Sequence, residues 1–523
     1  TISSQNLTNS GTVSAQNDRL TLNISKQLDS QGRIQGDGII ITANTFTNQT
    51  ESGKLHSTSD LILTAQDAIT NQDGGLIHAG RNLILTSEHG SLVNRNAKTQ
   101  AINSIHINSQ NLSNSGALLT QDNSLIINTF MLDNQGEIQG NGITLNATEL
   151  NNHTINGKIV SSDKLYLTIK GNISNTDGAL VHAGTDVSLD ATGNLTNSGT
   201  IEAVEFAMVK SQHLTNSGTI LAQNGALSID TNKVDSHGTL AGNGITINAN
   251  DLLNRTANAK IFSSDKIDLT IDGDITNIDD ALVHAGTGVS LDATGNLTNS
   301  GTIEAVEFAM VKSQHLTNSG TILAQNATLM VDTHQVKNQG TLSGNDVVIS
   351  ATTLDSSTEN GKIVSSDKLY LTIEGDISNA DGALVHAGTD VSLDAKGNLT
   401  NSGTIEAVES ATVKSQNLTN SGTVLAQNGA LSIDTNTVDS QGTLAGNGIT
   451  INANDLLNRT ANAKIFSSEK IDLTIQGDIT NTDSALVHAG TDVSLDAKGN
   501  LTNSGTIEAV ESATIKSQNL TNS

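Results

Sequence analysis

The chain contains no cysteine and no proline among its 523 residues, and its aromatic side chains are two tyrosines and six phenylalanines. The absence of cysteine excludes disulfides and thiolate metal sites. Without proline, every residue keeps the backbone N–H that a chain paired above and below along its length requires. Because aromatic residues are so few, the chain cannot build a wide core of large side chains. A thin core of Leu, Ile, Val and Ala is expected instead.

Charge and hydropathy exclude two further classes of protein. The formal net charge is -27 at pH 7, which argues against nucleic acid or an anionic lipid surface as a partner and is typical of a long chain kept soluble by repulsion. No apolar run approaches the roughly 20 residues that cross a bilayer, so no membrane-spanning segment is expected.

One short motif recurs along the whole chain. The sequence Asn-Leu-Thr-Asn-Ser-Gly-Thr occupies residues 6–12, 194–200, 296–302, 398–404 and 500–506, and a second copy follows about one turn later, as at His213–Thr219. Its aliphatic positions are spaced by roughly 18 to 23 residues. In one stretch these anchors are Leu195, Leu214, Val234, Leu253, Ile275 and Leu297. Such a period indicates a solenoid instead of several globular domains.

A longer repeat contains the short one. A Leu-(Val/Ile)-His-Ala-Gly motif recurs about every 102 residues, or every five turns, and its histidines are His78, His182, His284, His386 and His488. Residues 289–326 repeat residues 187–224 without a substitution, which indicates recent duplication. We therefore predict diverged repeats over residues 1–193, continuous with near-identical five-turn blocks over residues 194–523, and no separate globular domain.

The alternation of apolar and polar residues predicts strands. Ala226–Asp230, Gly244–Ala249 and Lys266–Ile271 alternate over four to six positions, and no stretch holds the 3.6-residue period of a helix. Short strands that repeat in one direction can pair only with their equivalents in neighbouring turns. The pattern therefore predicts an all-β parallel β-helix of about 25 turns of about 20 residues. A leucine-rich repeat would need denser leucine, and stacked hairpins would need an Asn-Gly turn between every strand pair.

An Asn two residues beyond each aliphatic anchor is expected to face its equivalents in the turns above and below. Asn197, Asn216 and Asn299 belong to this column. Identical amides stacked about 4.8 Å apart can hydrogen bond to one another along the axis. The Asn and the Gly that follows are also expected to adopt left-handed backbone at a tight corner.

These motifs resemble the haemagglutinin repeats of filamentous haemagglutinin and of contact-dependent growth inhibition exoproteins. The resemblance rests on Leu132–Ile138, on Gly142–Ala147 and on the repeated Asn-Leu-Thr-Asn-Ser-Gly-Thr-Ile, and it covers essentially the whole chain. It implies a right-handed parallel β-helix that forms a long, monomeric filament. It also implies export by two-partner secretion through an outer-membrane transporter to the surface of a Gram-negative bacterium. In such proteins the secretion domain is N-terminal and any toxin is C-terminal.

No residue is predicted to be catalytic, cofactor-binding or metal-binding. The repeated histidines lie five turns apart, roughly 24 Å, which is too far for shared zinc ligation. Asp190, Asp292, Asp394 and Asp496 recur at the same interval and cannot pair as acid and base. Asp279 with Asp280, and Glu304 with Glu307, are the remaining candidates for calcium, but the nonapeptide of calcium-binding β-rolls is absent.

Asparagine sequons recur as well, as at Asn6-Leu7-Thr8 and Asn194-Leu195-Thr196, but repetition of Asn, Leu, Thr and Ser generates them, so a structural role is preferred to glycosylation. Enzymatic β-helices interrupt their turns with long loops that build one unique site. This chain shows no long insertion, so it is not predicted to be an enzyme.

The favoured interpretation is a structural stalk about 120 Å long that projects an adhesive or toxin-bearing module toward a receptor on a host or target cell. Two alternatives stay open: the repeats bind a glycan or receptor themselves, or they form a delivery conduit at the target outer membrane. An exposed aromatic or apolar patch absent from most blocks would favour the adhesive alternative, and the scarcity of residues such as Tyr166 and Tyr370 weighs against it. A carbohydrate-active β-helix enzyme is the least favoured. Both termini lie inside repeats, so we expect an internal segment of a longer protein.

Overall fold

The computed structural model describes all 523 residues, and every regular element in it is a β-strand. The chain divides into two compact units. The first comprises residues 1–254 and 258–263, and the second comprises residues 255–257 and 264–523. Each unit is a parallel β-solenoid, and the chain makes about 26 turns of about 20 residues. The predicted fold class is confirmed, while its right-handed sense stays a prediction.

The strands that begin in the first unit are Ile2–Asn9, Thr12–Ser30, Arg33–Gln49, Lys54–Ser57, Leu61–Gln72, Leu76–Ala79, Asn82–Ser87, Ser91–Arg95, Lys98–Ala101, Ser104–Asn114, Ala117–Thr120, Ser124–Asn134, Glu137–Gly140, Gly142–Ala147, Glu149–Asn152, Lys158–Ser161, Leu165–Ile169, Ile173–Asn175, Leu180–Ala183, Val187–Ala191, Leu195–Asn197, Thr200–Ala203, Ala207–Asn216, Thr219–Ala222, Leu227–Ser236, Thr239–Gly242, Ile245–Ala249, Asp251–Arg255 and Lys260–Ser263.

The strands of the second unit are Ile267–Ile271, Ile275–Ile278, Leu282–Ala285, Val289–Ala293, Leu297–Asn299, Thr302–Ala305, Ala309–Asn318, Thr321–Ala324, Thr328–Asn338, Thr341–Gly344, Asp346–Ser356, Lys362–Ser365, Leu369–Ile373, Ile377–Asn379, Leu384–Ala387, Val391–Ala395, Leu399–Asn401, Thr404–Ala407, Ala411–Asn420, Thr423–Ala426, Ala430–Ser440, Thr443–Gly446, Gly448–Ala453, Asp455–Arg459, Lys464–Ser467, Ile471–Ile475, Ile479–Thr482, Leu486–Ala489, Asp492–Ala497, Asn500–Asn503, Thr506–Ala509, Ser512–Lys516 and Asn519–Asn522.

A turn has three walls. In one turn of the second unit, Val391–Ala395 forms the first wall, Leu399–Asn401 the second and Thr404–Ala407 the third. In the next turn the first two walls fuse into one bent strand, Ala411–Asn420, and Thr423–Ala426 forms the third. Each strand pairs in parallel with its equivalent one turn away. The chain therefore satisfies its backbone hydrogen bonds between turns, which is why every residue needs its N–H.

Strict alternation places the core inside the turns. In Val391–Ala395, the side chains of Val391, Leu393 and Ala395 are buried, while Ser392 and Asp394 point outward. Burial of Leu, Ile, Val and Ala on all three walls fills a narrow interior, and this apolar burial is the main favourable contribution to folding. Phe46 is the one aromatic side chain of this core.

The structure corrects one predicted anchor. Val234 pairs with Leu252, and Leu252 is buried, whereas Leu253 faces outward opposite Asp235. Two adjacent leucines are indistinguishable by hydropathy, and a slip of one residue moves a side chain to the opposite face of a strand. The Asn two residues beyond the true anchor is Asn254, so the rule that relates anchor to Asn holds.

The predicted column of asparagines is present, and its hydrogen bonds run in one direction. Asn175 Nδ2 donates to Asn197 Oδ1 of the next turn at 2.8 Å, and Asn197 Nδ2 donates onward to Asn216 Oδ1 at 2.8 Å. The Nδ2 of Asn175 also donates to the backbone carbonyl of Thr200 at 3.1 Å, which fixes the orientation of the amide. All three side chains are fully buried. In an apolar interior these bonds satisfy groups that would otherwise destabilise the fold.

Serine interrupts this column at Ser30, Ser236, Ser356 and Ser440. Ser440 Oγ donates within its own turn, to the Gly442 carbonyl at 3.4 Å, so it offers nothing to the next turn. The buried carbonyls Asn48 Oδ1, Asn379 Oδ1 and Asn458 Oδ1, each one turn after a serine, consequently have no hydrogen-bond donor. A serine in the column therefore leaves the asparagine of the next turn without a hydrogen-bond donor, although the fold of its own turn is unchanged.

The corner glycine has a different cause from the one predicted. Left-handed glycines occur only at Gly74, Gly178 and Gly382, and the Asn of the column is not left-handed either. A Cβ at Gly422 would instead lie 2.0 Å from the carbonyl oxygen of Gly403, one turn earlier. The motif thus selects glycine because successive turns approach backbone to backbone at this corner.

Ser440→Asn should stabilise the protein. The new amide would accept from Asn420 and donate to Asn458 Oδ1, removing the cost of a buried unpaired acceptor, about 1 to 3 kcal/mol. Urea or thermal denaturation followed by circular dichroism measures the change. The reverse variant, Asn401→Ser, removes the 2.8 Å bond to Asn420 and should destabilise by a similar amount. A stabilised Asn401→Ser variant would contradict this account of the column.

Gly422→Ala should destabilise the second unit by about 1 to 3 kcal/mol, because the added methyl group has to displace backbone of the neighbouring turn. Gly448→Ala is the matched control, since a Cβ there meets nothing within 4 Å. The same denaturation measurement separates them. Equal stability of the two variants would show that the corner has room for a side chain.

Candidate functional site

The repeated histidines lie on the outer face of the third wall, and four of the five lie opposite a glutamate of the next turn. His386 is in register with Glu406, and His386 Nδ1 lies 2.7 Å from Glu406 Oε1. The same pair recurs in three other blocks, with atom separations of 3.6 Å, 2.7 Å and 2.7 Å: His182 with Glu202, His284 with Glu304, and His488 with Glu508. Each of these four histidines is therefore positioned by the glutamate carboxylate of the following turn.

His78 departs from this pattern. Its partner in the next turn is Gln100, whose Nε2 lies 3.0 Å from His78 Nδ1. On its other side the ring stacks on His56, with ring centroids 4.8 Å apart. Burial, His56 and the cationic Lys98 lower the pKa of His78 below its ordinary value. His78 is consequently a neutral member of the stack near pH 7.

The predicted carboxylate candidates lie on separate parts of the surface. Asp292 and Asp394 point outward from the first wall, in register with Lys312 and Lys414. Lys312 Nζ lies 3.6 Å from Asp292 Oδ2, and such exposed ion pairs contribute little to stability. Asp190 is likewise in register with Lys210.

The fourth copy, Asp496, pairs with Lys498 at 2.9 Å, and this hydrogen bond lowers the pKa of Asp496. Asp279 and Asp280 form a left-handed corner, and Glu304 is paired with His284. No group of three or more His, Asp or Glu side chains in the structure is arranged to hold a metal ion. The absence of catalytic, cofactor and metal sites stays a prediction, as does the status of the exposed sequon residues Asn6 and Asn194.

One outward column differs from its equivalents in the neighbouring blocks. Met310, Met330, Val348 and Tyr370 occupy the same outer position of the first wall in four successive turns, each in register with the next. Met310, Met330 and Tyr370 are 40 to 42% exposed, so the column forms a continuous apolar strip on the surface of the second unit. We call these four residues the apolar column.

Sequence reasoning missed the apolar column because it judged such a patch by the scarcity of aromatic residues, and only Tyr370 of these four is aromatic. The signal was present in the comparison between blocks. The equivalent positions 102 residues later are Thr412, Ser432, Thr450 and Asp472, all polar. A patch absent from the next block is the kind of feature that favours the adhesive alternative.

A polar groove runs beside the apolar column, where the first wall bends into the second. Lys312, Asp332, His334, Thr372 and Glu374 line it, and its volume is about 570 Å³. A second groove lies at the equivalent place one block later. The grooves therefore recur with the repeat, whereas the apolar column is absent from the next block. The same outer position is also apolar at Ile40, Ile62 and Ile84 of the first unit.

No helix is available to cross a membrane, since the chain forms strands throughout. Parallel turns of about 20 residues around a thin aliphatic core, joined by a buried asparagine column, define the chain as a β-solenoid repeat protein.

The repeats have relatives among the contact-dependent inhibition exoproteins. The chain is 28% identical over 313 residues to tRNA nuclease CdiA of Escherichia coli strain NC101, an alignment that covers 58% of this chain and 8% of the relative. It is 30% identical over 317 residues to Toxin CdiA of Escherichia coli, which covers 55% and 10%. It is 24% identical over 330 residues to Deoxyribonuclease CdiA of Dickeya dadantii strain 3937, which covers 55% and 10%. No family model and no solved structure matches the chain.

These relatives confirm the resemblance of the repeats to contact-dependent inhibition exoproteins, at 24 to 30% identity over 55 to 58% of the chain. The alignments span about a tenth of the length of these relatives. Fold and relatives together fit a repeat segment of a large exoprotein.

The lowered pKa of His78 predicts a loss of stability in acid. Below about pH 6.5 the unfolded chain binds this proton more readily than the folded chain, so stability falls as the pH falls toward the folded-state pKa. Lys98→Gln should raise the pKa of His78, because it removes a nearby positive charge. Lys98→Arg keeps the charge and is the control. NMR titration of the imidazole protons measures the pKa of His78 in both variants. An unchanged pKa in Lys98→Gln would contradict the contribution of the Lys98 charge.

Proposed function

We propose that this chain is a spacer segment of a secreted exoprotein on the surface of a Gram-negative bacterium. In this role it holds a toxin-bearing or receptor-binding module away from the cell that produces it. The relatives support the proposal, since their names describe a tRNA nuclease, a toxin and a deoxyribonuclease, and the chain aligns with about a tenth of each. The reactive module would lie in other parts of such a protein, and the repeats would carry no catalytic role.

The observation that carries the proposal is the constant register of the turns. Within the second unit, Asn379, Asn401 and Asn420 occupy one buried column, and every strand of these turns pairs with its equivalent. A further turn adds its own core, its own backbone partners and its own amide. Each five-turn block would extend the solenoid by roughly 24 Å without changing its cross-section.

Export follows from the same proposal. A chain that crosses the outer membrane through a two-partner secretion transporter passes unfolded and folds outside. The absence of cysteine is compatible with such passage, because no disulfide can form early. Repeats that fold one against the next suit folding as the chain emerges. The transporter and a receptor on the target cell are thus the proposed partners of the full protein.

Removal of one block tests the spacer role. Deleting residues 391–492 joins Asp390 to Val493, which reproduces the natural Asp390-Val391 junction. The aligned repeats of Toxin CdiA of Escherichia coli would be replaced by this chain, with or without that block. We expect both chimaeras to be exported and to inhibit target cells, with the shorter one reaching about 24 Å less by electron microscopy.

The matched control deletes residues 391–482, a length that is not a whole block. The new junction misaligns the columns, so export or folding should fail. Inhibition that survives this control equally well would contradict the dependence on register. Inhibition abolished by the whole-block deletion, with export intact, would show that the repeats act as more than a spacer.

A further inference from the structure

We propose that Asn224 and Asn428 are sites of spontaneous deamidation, each through the backbone nitrogen of the glycine that follows it. The reaction modifies the folded chain itself, and the inference does not depend on the spacer role. It rests on the hydrogen bonds that hold the other Asn-Gly pairs of the chain, and on the absence of such bonds at these two.

Deamidation at an Asn-Gly pair needs no enzyme. The deprotonated backbone nitrogen of the glycine attacks Cγ of the asparagine side chain, a C–N bond forms, and the side-chain nitrogen leaves as ammonia. Water then opens the cyclic imide at either of its carbonyls, which gives aspartate or isoaspartate. Glycine favours the reaction because, without a Cβ, its backbone reaches the conformations that bring the nitrogen to Cγ. The reaction therefore requires an asparagine side chain that can turn and a glycine N–H that donates to no acceptor.

Seven Asn-Gly pairs occur in the chain, and hydrogen bonds hold five of them. In two of the five, the glycine N–H is occupied. Gly361 N–H donates to the Thr358 carbonyl at 2.9 Å, and Gly157 N–H donates within its own turn in the same way. A nitrogen whose proton is held by an acceptor is a poor nucleophile, so these two pairs are protected.

In the other three of the five, the asparagine side chain is held. Asn447 Nδ2 donates to the Asn428 carbonyl at 3.3 Å, and Asn447 Oδ1 accepts from Ser468 Oγ. The side chains of Asn141 and Asn243 likewise donate to backbone carbonyls. To reach the glycine nitrogen, each of these side chains would first have to break its hydrogen bonds.

The two remaining pairs have neither restraint. Asn428 and Gly429 lie in a bend between the third wall of one turn and the first wall of the next, and Asn428 is exposed. Its side chain makes no hydrogen bond, and Gly429 N–H has no acceptor. Asn224 and Gly225 occupy the equivalent bend two blocks earlier and share both properties. These are the pairs in which the attacking nitrogen and the side chain are both available.

The asparagine column is protected by its burial. Many of its members precede a serine, a small residue that also permits the reaction, and Asn420 is one of them. Asn420 is fully buried, accepts from Asn401 at 2.8 Å and donates to the Thr443 carbonyl at 3.1 Å. A side chain fixed on both sides cannot turn toward the backbone nitrogen. The structure thus separates reactive from protected asparagines in a chain where the sequence repeats both.

The block between the two sites supplies a matched control. The equivalent asparagine there is Asn326, which is exposed like Asn428 but is followed by Ala327. Ala327 N–H also has no acceptor, so the two pairs differ chiefly in the Cβ of the second residue. We therefore expect Asn428 to react much faster than Asn326 within the same molecule.

Each product changes the corner in which it forms. Aspartate at position 428 adds a negative charge beside the turn whose corner carries Glu409. Isoaspartate also adds a methylene group to the main chain. That group lies between the Asn428 N–H, which donates to the Val408 carbonyl at 2.9 Å, and the Gly429 carbonyl, which accepts from Asn447 N–H at 2.8 Å. The longer main chain shifts the register between these two bonds.

The test follows the loss of each amide over time. The purified whole chain is incubated in mildly alkaline buffer, digested with trypsin and analysed by mass spectrometry, and an isoaspartate methyltransferase labels the isoaspartate product. We expect Asn224 and Asn428 to react roughly ten-fold or more faster than Asn326 and than the asparagines of the other five pairs. The same chain unfolded in guanidinium chloride should react at similar rates at all seven pairs, because the protecting hydrogen bonds are lost.

Two variants test the assignment residue by residue. Ala327→Gly recreates the reactive pair in the block between the two sites, and it should raise the rate at Asn326 to that of Asn428. Asn428→Gln should abolish the reaction at position 428 and leave that at Asn224 unchanged, because the longer side chain forms a cyclic imide far more slowly. Both substitutions lie in an exposed bend, so circular dichroism should match that of the parent.

Three results would overturn the proposal. The first is a folded chain in which Asn428 and Asn224 react no faster than Asn326. The second is a folded chain that reacts equally at all seven Asn-Gly pairs, since the hydrogen bonds would then give no protection. The third is an Ala327→Gly variant in which the rate at Asn326 is unchanged.

Discussion

Each turn of this protein depends on the turn before it, through hydrogen bonds that no turn can make alone. Backbone N–H and C=O groups of the three walls pair between turns, and the buried asparagines do the same inside the corner. A single turn would have no protein partner for these groups, and its apolar side chains would stay exposed to water. Stability is therefore a property of neighbouring pairs of turns, as in other one-dimensional repeat proteins. The proline-free composition follows from this dependence.

Close packing between turns sets a second constraint, and it explains why the motif varies so little. At Gly422 the chain passes so near Gly403 that no side chain fits, and the buried interior behind it holds small aliphatic side chains and the asparagine column. Outward positions of the same strands carry no such restriction. Change is thus confined to the outer columns, where Met310 and Thr412 occupy equivalent places. A new surface can arise there without any change in the fold.

The sequence was sufficient to predict what repetition determines. Periodicity predicted parallel strands, a thin core and the asparagine column, because each of these depends on residue type at a fixed interval. Periodicity predicted the wrong residue where two choices were chemically alike. Leu252 and Leu253 differ only in the face of the strand that they occupy. Glycine can be required either by left-handed backbone or by close approach of two turns, and the sequence does not distinguish these causes. It also missed the apolar column, because the scarcity of aromatic residues was taken as evidence against a patch, and only Tyr370 of the four side chains is aromatic.

The one-way asparagine column has an electrical consequence. Every amide in an uninterrupted run points its Nδ2 toward the following turn, so the side-chain dipoles add head to tail and each bond polarises the next. A serine such as Ser440 ends that run, and the polarisation begins again at Asn458. Each unit of the solenoid is consequently an oriented stack with chemically distinct ends, and its serines divide it into short polarised lengths.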